Sequence, residues 1–425
     1  MAEGGDVDPQ PALARRLGVV DAVVIGLGSM VGAGVFAVWA PAARAAGSAL
    51  LVGLVVAAVV AYCNAVSSAQ LAAVYPVSGG TYVYGRERLG PGWGFAAGWS
   101  FVVGKTASCA AMALTFATYA VPEPGWPRRV VALAVVVALA AVNYRGVTRT
   151  ARLTRILVGC TLAVLVAVLA ILLTAPANDS LPAVWPSGTS PYGVLQAAGL
   201  LFFAFAGYAR IATMGEEVRD PARTIPRAIS IALVITVCLY LIIGIALLLT
   251  LGPARIAGAT APLATAVNVA GAGWAVPVVR IGAALASLGA LLALIAGIGR
   301  TSLAMARNGD LPRWLAAVHP RFQVPHHAEI AQVIVVGVLV LTTDLRGAIG
   351  FSSFGVLLYY AIANASAFTQ PAEQRRWPRA LNVLGLIGCL TLAVTLPLAS
   401  ALSAAIILAL ALLARFALHR RQHPD

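Results

Sequence analysis

The chain has 425 residues, of which 60% are hydrophobic and 10% are charged, and its mean hydropathy is +0.89. This composition excludes an ordinary soluble globular protein and predicts that lipid is the solvent for most of the chain. The net charge of +14 would suit a nucleic-acid-binding protein, but the distribution of the cations along the chain argues against that class.

Apolar stretches predict about twelve membrane spans, each with boundaries that are soft by a few residues. The N-terminal segment 1–17 is polar and lacks the short apolar core and cleavage site of a signal peptide, so we expect the first span to stay in the protein. The predicted spans cover residues 18–43, 48–73, 93–120, 130–144, 152–174, 192–213, 228–251, 277–300, 328–343, 347–369, 380–397 and 399–417.

The cations lie mostly at one side of these spans. If the N-terminus is cytoplasmic and the connections alternate, 21 of the 29 Lys and Arg residues are cytoplasmic, six are outside and two lie within spans. This asymmetry predicts a multi-pass protein of the cell (cytoplasmic) membrane with both termini inside, in contact with anionic lipid rather than nucleic acid. The five Cys residues are scattered through apolar runs without metal-ligand spacing, so we expect no metal and no cofactor.

The first span contains the sequence GLGSMVGAGVF at residues 26–36. Each glycine in a helix interior costs about 1 kcal/mol relative to alanine. One interpretation is a break in the helix, buried in the protein, whose free N–H and C=O groups bind a ligand with both charges, such as an amino acid. The other interpretation is that small residues let two helices approach closely.

The third span contains Lys105, the only lysine in the chain. A charge at bilayer depth is costly and indicates function by default, and lysine, unlike arginine, releases its proton when it is desolvated. Helical spacing places Lys105 on one face with Ser108, Cys109 and Met112, and we expect this face to point inward. The hypothesis is that Lys105 supplies the movable charge of proton-linked transport. The alternative is a structural lysine that snorkels or bonds carbonyls at a helix break.

The sixth span runs into LLFFAFAGYARIATMGEEVRDPARTIPRA at residues 200–228, where Gly207 interrupts an aromatic-rich run. In transporters built from inverted repeats of five spans, the first and sixth spans correspond, and both are interrupted here. At the exit of this span, Arg210 is expected to pair with Glu216, Glu217 or Asp21 in a cytoplasmic gate. Pairing of Arg210 with a ligand carboxylate is one alternative, and a simple solvated loop is the alternative for the charged residues of the exit.

Five stretches, taken together and in order, resemble the amino acid–polyamine–organocation (APC) superfamily. They are GSMVGAGVF in the first span, YPVSGGTYVYGRERLGPGWGFAAGW at 75–99, NYRGVTRTARLTR at 143–155, FFAFAGYARIATMGEEVRDPARTIPRAI at 202–229 and GRTSLAMARNGDLPRWLAAVHPRF at 299–322. The resemblance extends from about residue 15 to at least residue 330.

This resemblance implies an all-α membrane protein with two inverted five-helix repeats, broken first and sixth helices, two additional C-terminal helices, and alternating access to a central site. The corresponding ranges are a cytoplasmic tail at 1–17, repeats at 18–174 and 192–370, the added helices at 380–417 and a cytoplasmic tail at 418–425.

The resemblance also implies a binding site at the two breaks. Amides of the first break would bind the substrate carboxylate, and carbonyls of both breaks would bind the amino group. The aromatic rings in the second break are candidates for gating or side-chain packing, or they belong to the ordinary core. The matching positions are Ser29, Met30, Val31, Gly32, Ala33 and Gly34 in the first break, and Phe203, Ala204, Phe205, Ala206, Gly207 and Tyr208 in the second.

The sequence departs from this family at two positions. Many relatives carry an acid where this chain has Ala209, and some proton-coupled relatives carry a lysine where it has Thr161. No acid is visible at mid-depth in the spans, which disfavours arginine, lysine and polyamines as substrates.

The sequence therefore predicts a permease that imports a small, neutral amino acid, with proton symport, and leaves the oligomeric state open. The alternatives are an amino acid or amine exchanger, a polyamine or organocation transporter, and a membrane nutrient sensor. An enzyme is disfavoured because the spans contain no nucleophile–base pair, metal cluster or paired carboxylates.

Overall fold

The computed structural model describes residues 17–76, 79–121, 123–145, 150–175, 183, 185–186, 188–208, 211 and 218–422. Within these ranges the chain is helical, with no strand and with one isolated β-bridge. The described helices are α1 Val19–Met30, α2 Gly34–Ala37, α3 Trp39–Ala46, α4 Leu50–Val74, α5 Thr81–Leu89, α6 Pro91–Ala120, α7 Trp126–Tyr144, α8 Thr150–Thr174, α9 Pro191–Phe205, α10 Pro221–Gly258, α11 Pro262–Val269, α12 Val276–Arg307, α13 His326–Thr342, α14 Leu345–Phe368, α15 Arg379–Thr395 and α16 Leu398–Gln422.

The helices account for the twelve predicted spans. In the part of the chain that the structure describes, nine helical segments are long and apolar enough to cross a membrane, and α9, α13 and α15 are shorter apolar helices. Each predicted span overlaps at least one of these twelve segments, and Trp39–Val74 reaches from the end of the first predicted span through the second, which confirms the all-α membrane fold. Several begin with proline in the first turn, where its missing N–H costs nothing. The division into two five-helix repeats stays a prediction.

The helices differ in how much of their surface is covered by protein. Helix α6 and helix α14 are buried on most sides and pack against each other, and α6 also packs along α12. By contrast, α7, α8 and α16 expose most of their apolar surface, which in a membrane faces lipid. Buried α6 therefore forms the wall next to which the two interrupted segments lie.

The first interruption is narrower than its glycines suggest. Helix α1 continues through Gly26 and Gly28 to Met30, the chain is non-helical at 31–33, and α2 begins at Gly34. Gly26 and Gly28 instead face the side chains of Ile211 and Val158, which occupy the space that a Cβ atom would need. The stretch therefore contains a break at 31–33 and glycines that admit neighbouring atoms, while ligand binding at the break stays a prediction.

The second interruption follows α9, which ends at Phe205 and continues as a turn through Tyr208. Residues 209–210 and 212–217 lie outside the described residues. On the far side of this gap, Val218 forms the isolated bridge with Leu17, and the Arg219 amide donates to the Leu17 carbonyl at 2.9 Å. The chain entering the first span is thus bonded to the chain leaving the sixth.

Candidate functional site

The first interruption presents unbonded backbone amides. The amides of Gly32, Ala33, Gly34 and Val35 donate no hydrogen bond to any other described residue, whereas the Val31 amide still bonds the Leu27 carbonyl. These residues are buried, so the polar groups lie away from bulk solvent. Buried unpaired amides are rare and costly, and they attract an anionic ligand group.

The second interruption lies directly against the first. The backbone of Gly207 touches the Ser29 carbonyl so closely that a Cβ atom would collide with it. Gly34 packs in the same way on Ala204, whose Cα would lie 2.8 Å from an added Cβ atom. Because both contacts are made by backbone, glycine at these positions brings the amides of one interruption next to the terminal carbonyls of α9.

Tyr240 on α10 bridges the two interruptions. Its hydroxyl lies 2.8 Å from the Met30 carbonyl and 3.2 Å from the Ala204 carbonyl. The ring is buried and packs on Phe205 with 5.1 Å between centroids. One side chain therefore holds the end of α1 and the end of α9 at a fixed separation.

Lys105 on α6 contacts the second interruption. Its Nζ donates to the Ala206 carbonyl at 3.1 Å, and its side chain lies on the buried face that also carries Ser108, Cys109 and Met112. The same helix reaches the chain after the first interruption, where the Tyr119 hydroxyl donates to the Phe36 carbonyl at 3.2 Å. An ammonium group at a helix break fits both open interpretations of Lys105, the movable charge and the structural bond to a break carbonyl.

The aromatic residues of the second interruption are not equivalent. Phe205 and Tyr208 are enclosed, and Tyr208 stacks on Tyr360 of α14 with 4.9 Å between ring centroids. The Tyr360 hydroxyl also lies 3.5 Å from the Ala206 carbonyl. Phe203 retains slight exposure. Packing thus accounts for Phe205 and Tyr208, and contact of Phe203 with a substrate stays a prediction.

The predicted gate is described only in part. Asp21 lies in the first turn of α1, where one carboxylate oxygen accepts a hydrogen bond from the Gly18 amide at 3.2 Å. Its predicted partners Arg210, Glu216 and Glu217 lie outside the described residues. The gate therefore stays a prediction, and the described role of Asp21 is to cap the start of α1.

Sequence reasoning missed several residues near the interruptions. Tyr240 and Tyr360 bond the break carbonyls, and Glu329 on α13 is a buried acid at the edge of a predicted span. The available signal was their polarity within apolar runs, because polar residues in membrane spans are costly and usually have a partner or a function.

In the described ranges, twelve apolar helical segments with facing backbone groups at two interruptions are typical of a helical membrane transporter. The chain matches the family model described as "Amino acid permease" over residues 17–416. It therefore belongs to the amino acid permease family of the APC superfamily. This confirms the resemblance seen in the sequence motifs, and it makes the chain a multi-pass transporter rather than an enzyme.

The proteins that are similar in sequence to this chain have names that specify different substrates or none. An uncharacterised transporter of Mycobacterium tuberculosis is 62% identical, over 93% of this chain and 89% of the relative. A branched-chain amino acid permease of Bacillus subtilis is 26% identical, over 89% and 85% of the two chains. A cationic amino acid transporter of Arabidopsis thaliana chloroplasts is 30% identical, over 84% of this chain and 65% of the relative. Their names agree on amino acid transport where they specify it and differ on the substrate.

Proposed function

We propose that this permease imports a small neutral amino acid across the cell membrane, coupled to protons, by alternating access to a site between the two interruptions. The observation that carries the proposal is the set of four unbonded amides at 32–35, next to the terminal carbonyls of α9. Amides favour a carboxylate and carbonyls favour an ammonium group, so the pair matches the backbone end of an amino acid.

The charges near the interruptions support a neutral side chain. Residues 29–34 and 203–208 contain no carboxylate, and the ammonium group of Lys105 is bonded to one of the break carbonyls. A cationic side chain would meet like charge in a low-dielectric site and would lack a counter-ion there. Among the relatives, the branched-chain permease is the better guide to substrate class than the cationic transporters.

The proposed coupling uses Lys105. A proton that is gained and lost there changes the charge next to the Ala206 carbonyl, and hence the affinity of the interruption for a substrate ammonium group. In this proposal both termini face the cytoplasm, following the predicted charge asymmetry. An exchanger with the same site would need substrate on the far side and no proton gradient.

The test uses purified protein in proteoliposomes. With an inside-alkaline pH gradient and no internal substrate, radiolabelled leucine, valine or alanine should accumulate above equilibrium, and lysine should not. A protonophore should abolish the accumulation, and empty liposomes are the control. Uptake of lysine in preference to neutral amino acids would overturn the substrate class. Uptake that requires internal amino acid and ignores the gradient would establish an exchanger instead.

A further inference from the structure

Helix α13 carries three buried polar atoms without a hydrogen-bond partner among the described residues. They are His326 Nδ1, Glu329 Oε2 and Gln332 Oε1, spaced three residues apart along the start of the helix. Glu329 is 3% exposed and Gln332 is 6% exposed. A buried polar atom without a partner is costly, and a carboxylate more so than an amide, so three neighbouring cases on one helix call for an explanation.

The Glu329 side chain lies between α13 and α12. Its Cγ atom would lie 3.2 Å from a Cβ atom added at Gly299, so glycine provides the space that the acid occupies. Arg300 is the neighbouring cation that acts on it electrostatically, but the Arg300 side chain is exposed and forms no described ion pair with it. The carboxyl group is therefore buried without a direct counter-ion among the described residues.

From Glu329 towards the middle of the protein, polar side chains continue to the candidate site. Gln332 Nε2 lies 3.5 Å from the sulfur of Cys109 on α6. Cys109 lies one helical turn from Lys105, which bonds the Ala206 carbonyl. A row of polar groups at helical spacing thus extends from α13 to the second interruption, with the Gln332–Cys109 contact as the step between α13 and α6.

From Glu329 towards the predicted cytoplasmic side, the row of polar groups ends in a histidine cluster. The His326 ring lies 4.2 Å from His327, 5.4 Å from His319 and 6.3 Å from Tyr144, measured between ring centroids. These histidines are half-buried and lie at the end of α13 that joins the loop from α12. The loop is on the side predicted to be cytoplasmic, so the row of polar groups opens towards cytoplasmic water.

Other ionisable groups lie near this row, and their charges bear on any proton bound there. The elements packed against this end of α13 are α6, α7, α12 and the 3-10 turn Arg313–Ala316. The ionisable groups that they and the adjoining loop carry near the row are Lys105 and Cys109, Tyr144 and Arg145, Arg300, Arg313, and His319.

We propose that Glu329 is a second proton-binding site of this permease, which receives the coupled proton from Lys105 and releases it towards the cytoplasm past His326. This inference rests on the proposed proton coupling. Transfer of one proton from the Lys105 ammonium to the Glu329 carboxylate leaves a neutral amine and a neutral acid. Loss of that proton to cytoplasmic water restores the carboxylate, and a proton from the outer side recharges the amine. Two neutral groups cost less than two separated charges inside a membrane protein.

The test is the Glu329→Gln variant, which keeps the shape of the side chain but binds no proton. In proteoliposomes, accumulation of leucine driven by a pH gradient should fall at least tenfold. Counterflow of leucine, which needs no net proton transfer, should stay within about twofold of wild type. The matched control is Glu373→Gln, because Glu373 is exposed in a short turn after α14, and it should leave both assays unchanged.

The outcomes separate this inference from the proposed function. If wild type accumulates leucine with the pH gradient and Glu329→Gln does so equally, Glu329 is not the proton site although the coupling holds. If wild type itself ignores the gradient, the coupling fails and this inference falls with it. If Glu329→Gln does not fold, the Glu329→Asp variant is used to test the proposal. This variant keeps a carboxyl group in a changed position, so its gradient-driven uptake should have a shifted pH profile. An unshifted profile would overturn the proposal.

Discussion

At the scale of single residues, Tyr240 joins the two interruptions through one hydroxyl group. Replacing it by phenylalanine keeps the ring but leaves the Met30 and Ala204 carbonyls without this donor. An unsatisfied buried acceptor costs about 1–3 kcal/mol. We expect Tyr240→Phe to lower the melting temperature of the detergent-solubilised protein and to weaken substrate binding, measured by ligand-induced thermal stabilisation.

The control for Tyr240→Phe is Tyr62→Phe, because Tyr62 is an exposed tyrosine on α4. It should change neither the melting temperature nor the stabilisation by leucine. Wild-type values for both quantities in Tyr240→Phe would show that its hydroxyl does not hold the interruptions together.

Mutation of Lys105 distinguishes its two interpretations, a carrier of the coupled proton and a structural side chain. If it carries the coupled proton, Lys105→Gln should remove the rise of uptake at lower external pH and should preserve leucine counterflow. If it is only structural, the variant should lower stability and impair both assays together. Ser108→Ala is the matched control, because Ser108 lies on the same buried face one turn away. Intact, pH-dependent accumulation in Lys105→Gln would make the coupling hypothesis wrong.

Sequence reasoning reached some of these residues and not others, for a physical reason. Lys105 was found because a single charge inside an apolar span is conspicuous on chemistry alone. Tyr240 and Tyr360 were missed because their significance depends on which carbonyls lie opposite them, and that depends on packing between distant helices. Glu329 lies at the edge of a predicted span, where an acid normally reaches water. Its burial is due to the space at Gly299 on another helix.

At the scale of elements, the two interruptions depend on backbone contact. A methyl group at Gly207 would collide with the Ser29 carbonyl. Since both partners are backbone, neither can turn away as a side chain could, and the end of α1 must separate from the end of α9. We expect Gly207→Ala to reduce leucine uptake more than tenfold and to lower the melting temperature.

The matched control for Gly207→Ala is Gly297→Ala in α12. A Cβ atom at Gly297 meets no atom within 4 Å, and alanine stabilises a helix interior by about 1 kcal/mol relative to glycine. This control should transport normally and unfold at an equal or higher temperature. Normal transport by Gly207→Ala would show that the interruptions need not touch for function.

The sequence predicted the elements better than it predicted their interruptions. All twelve spans correspond to apolar helices of the described chain, because an apolar stretch in lipid must satisfy its own backbone hydrogen bonds and therefore forms a helix. The first break was placed at Ser29–Gly34 from the sequence, and the non-helical residues are 31–33. Glycine serves both to break a helix and to admit a neighbour, and the sequence does not distinguish these uses.

At the scale of the whole molecule, buried amides tie helices from different parts of the chain together. Asn364 on α14 donates to Asn64 on α4 at 2.6 Å and accepts from Ser67 at 2.7 Å, and Ser67 in turn accepts from Asn382 on α15 at 2.7 Å. Hydrogen bonds between helices supply specificity where lipid removes the hydrophobic drive for association. They attach α15 to α4 and α14.

The proposed orientation of the whole molecule follows from the charge asymmetry and can be tested at the two ends of α12. Trp274 is 76% exposed before this helix, and Arg321 is exposed in the loop that follows it. A helix that crosses the membrane places these two residues on opposite sides. With the termini in the cytoplasm, Arg321 is inside and Trp274 is outside.

Membrane-impermeant maleimide should therefore label Trp274→Cys in intact cells and Arg321→Cys only in inside-out vesicles. The wild-type protein is the control, because three of its cysteines are buried and the other two, Cys160 and Cys238, lie within the apolar helices α8 and α10. The reverse pattern would mean that the protein has the opposite orientation in the membrane, with the histidine cluster and the proton exit from Glu329 outside the cell. Labelling of both variants from one side would mean that α12 does not cross the membrane.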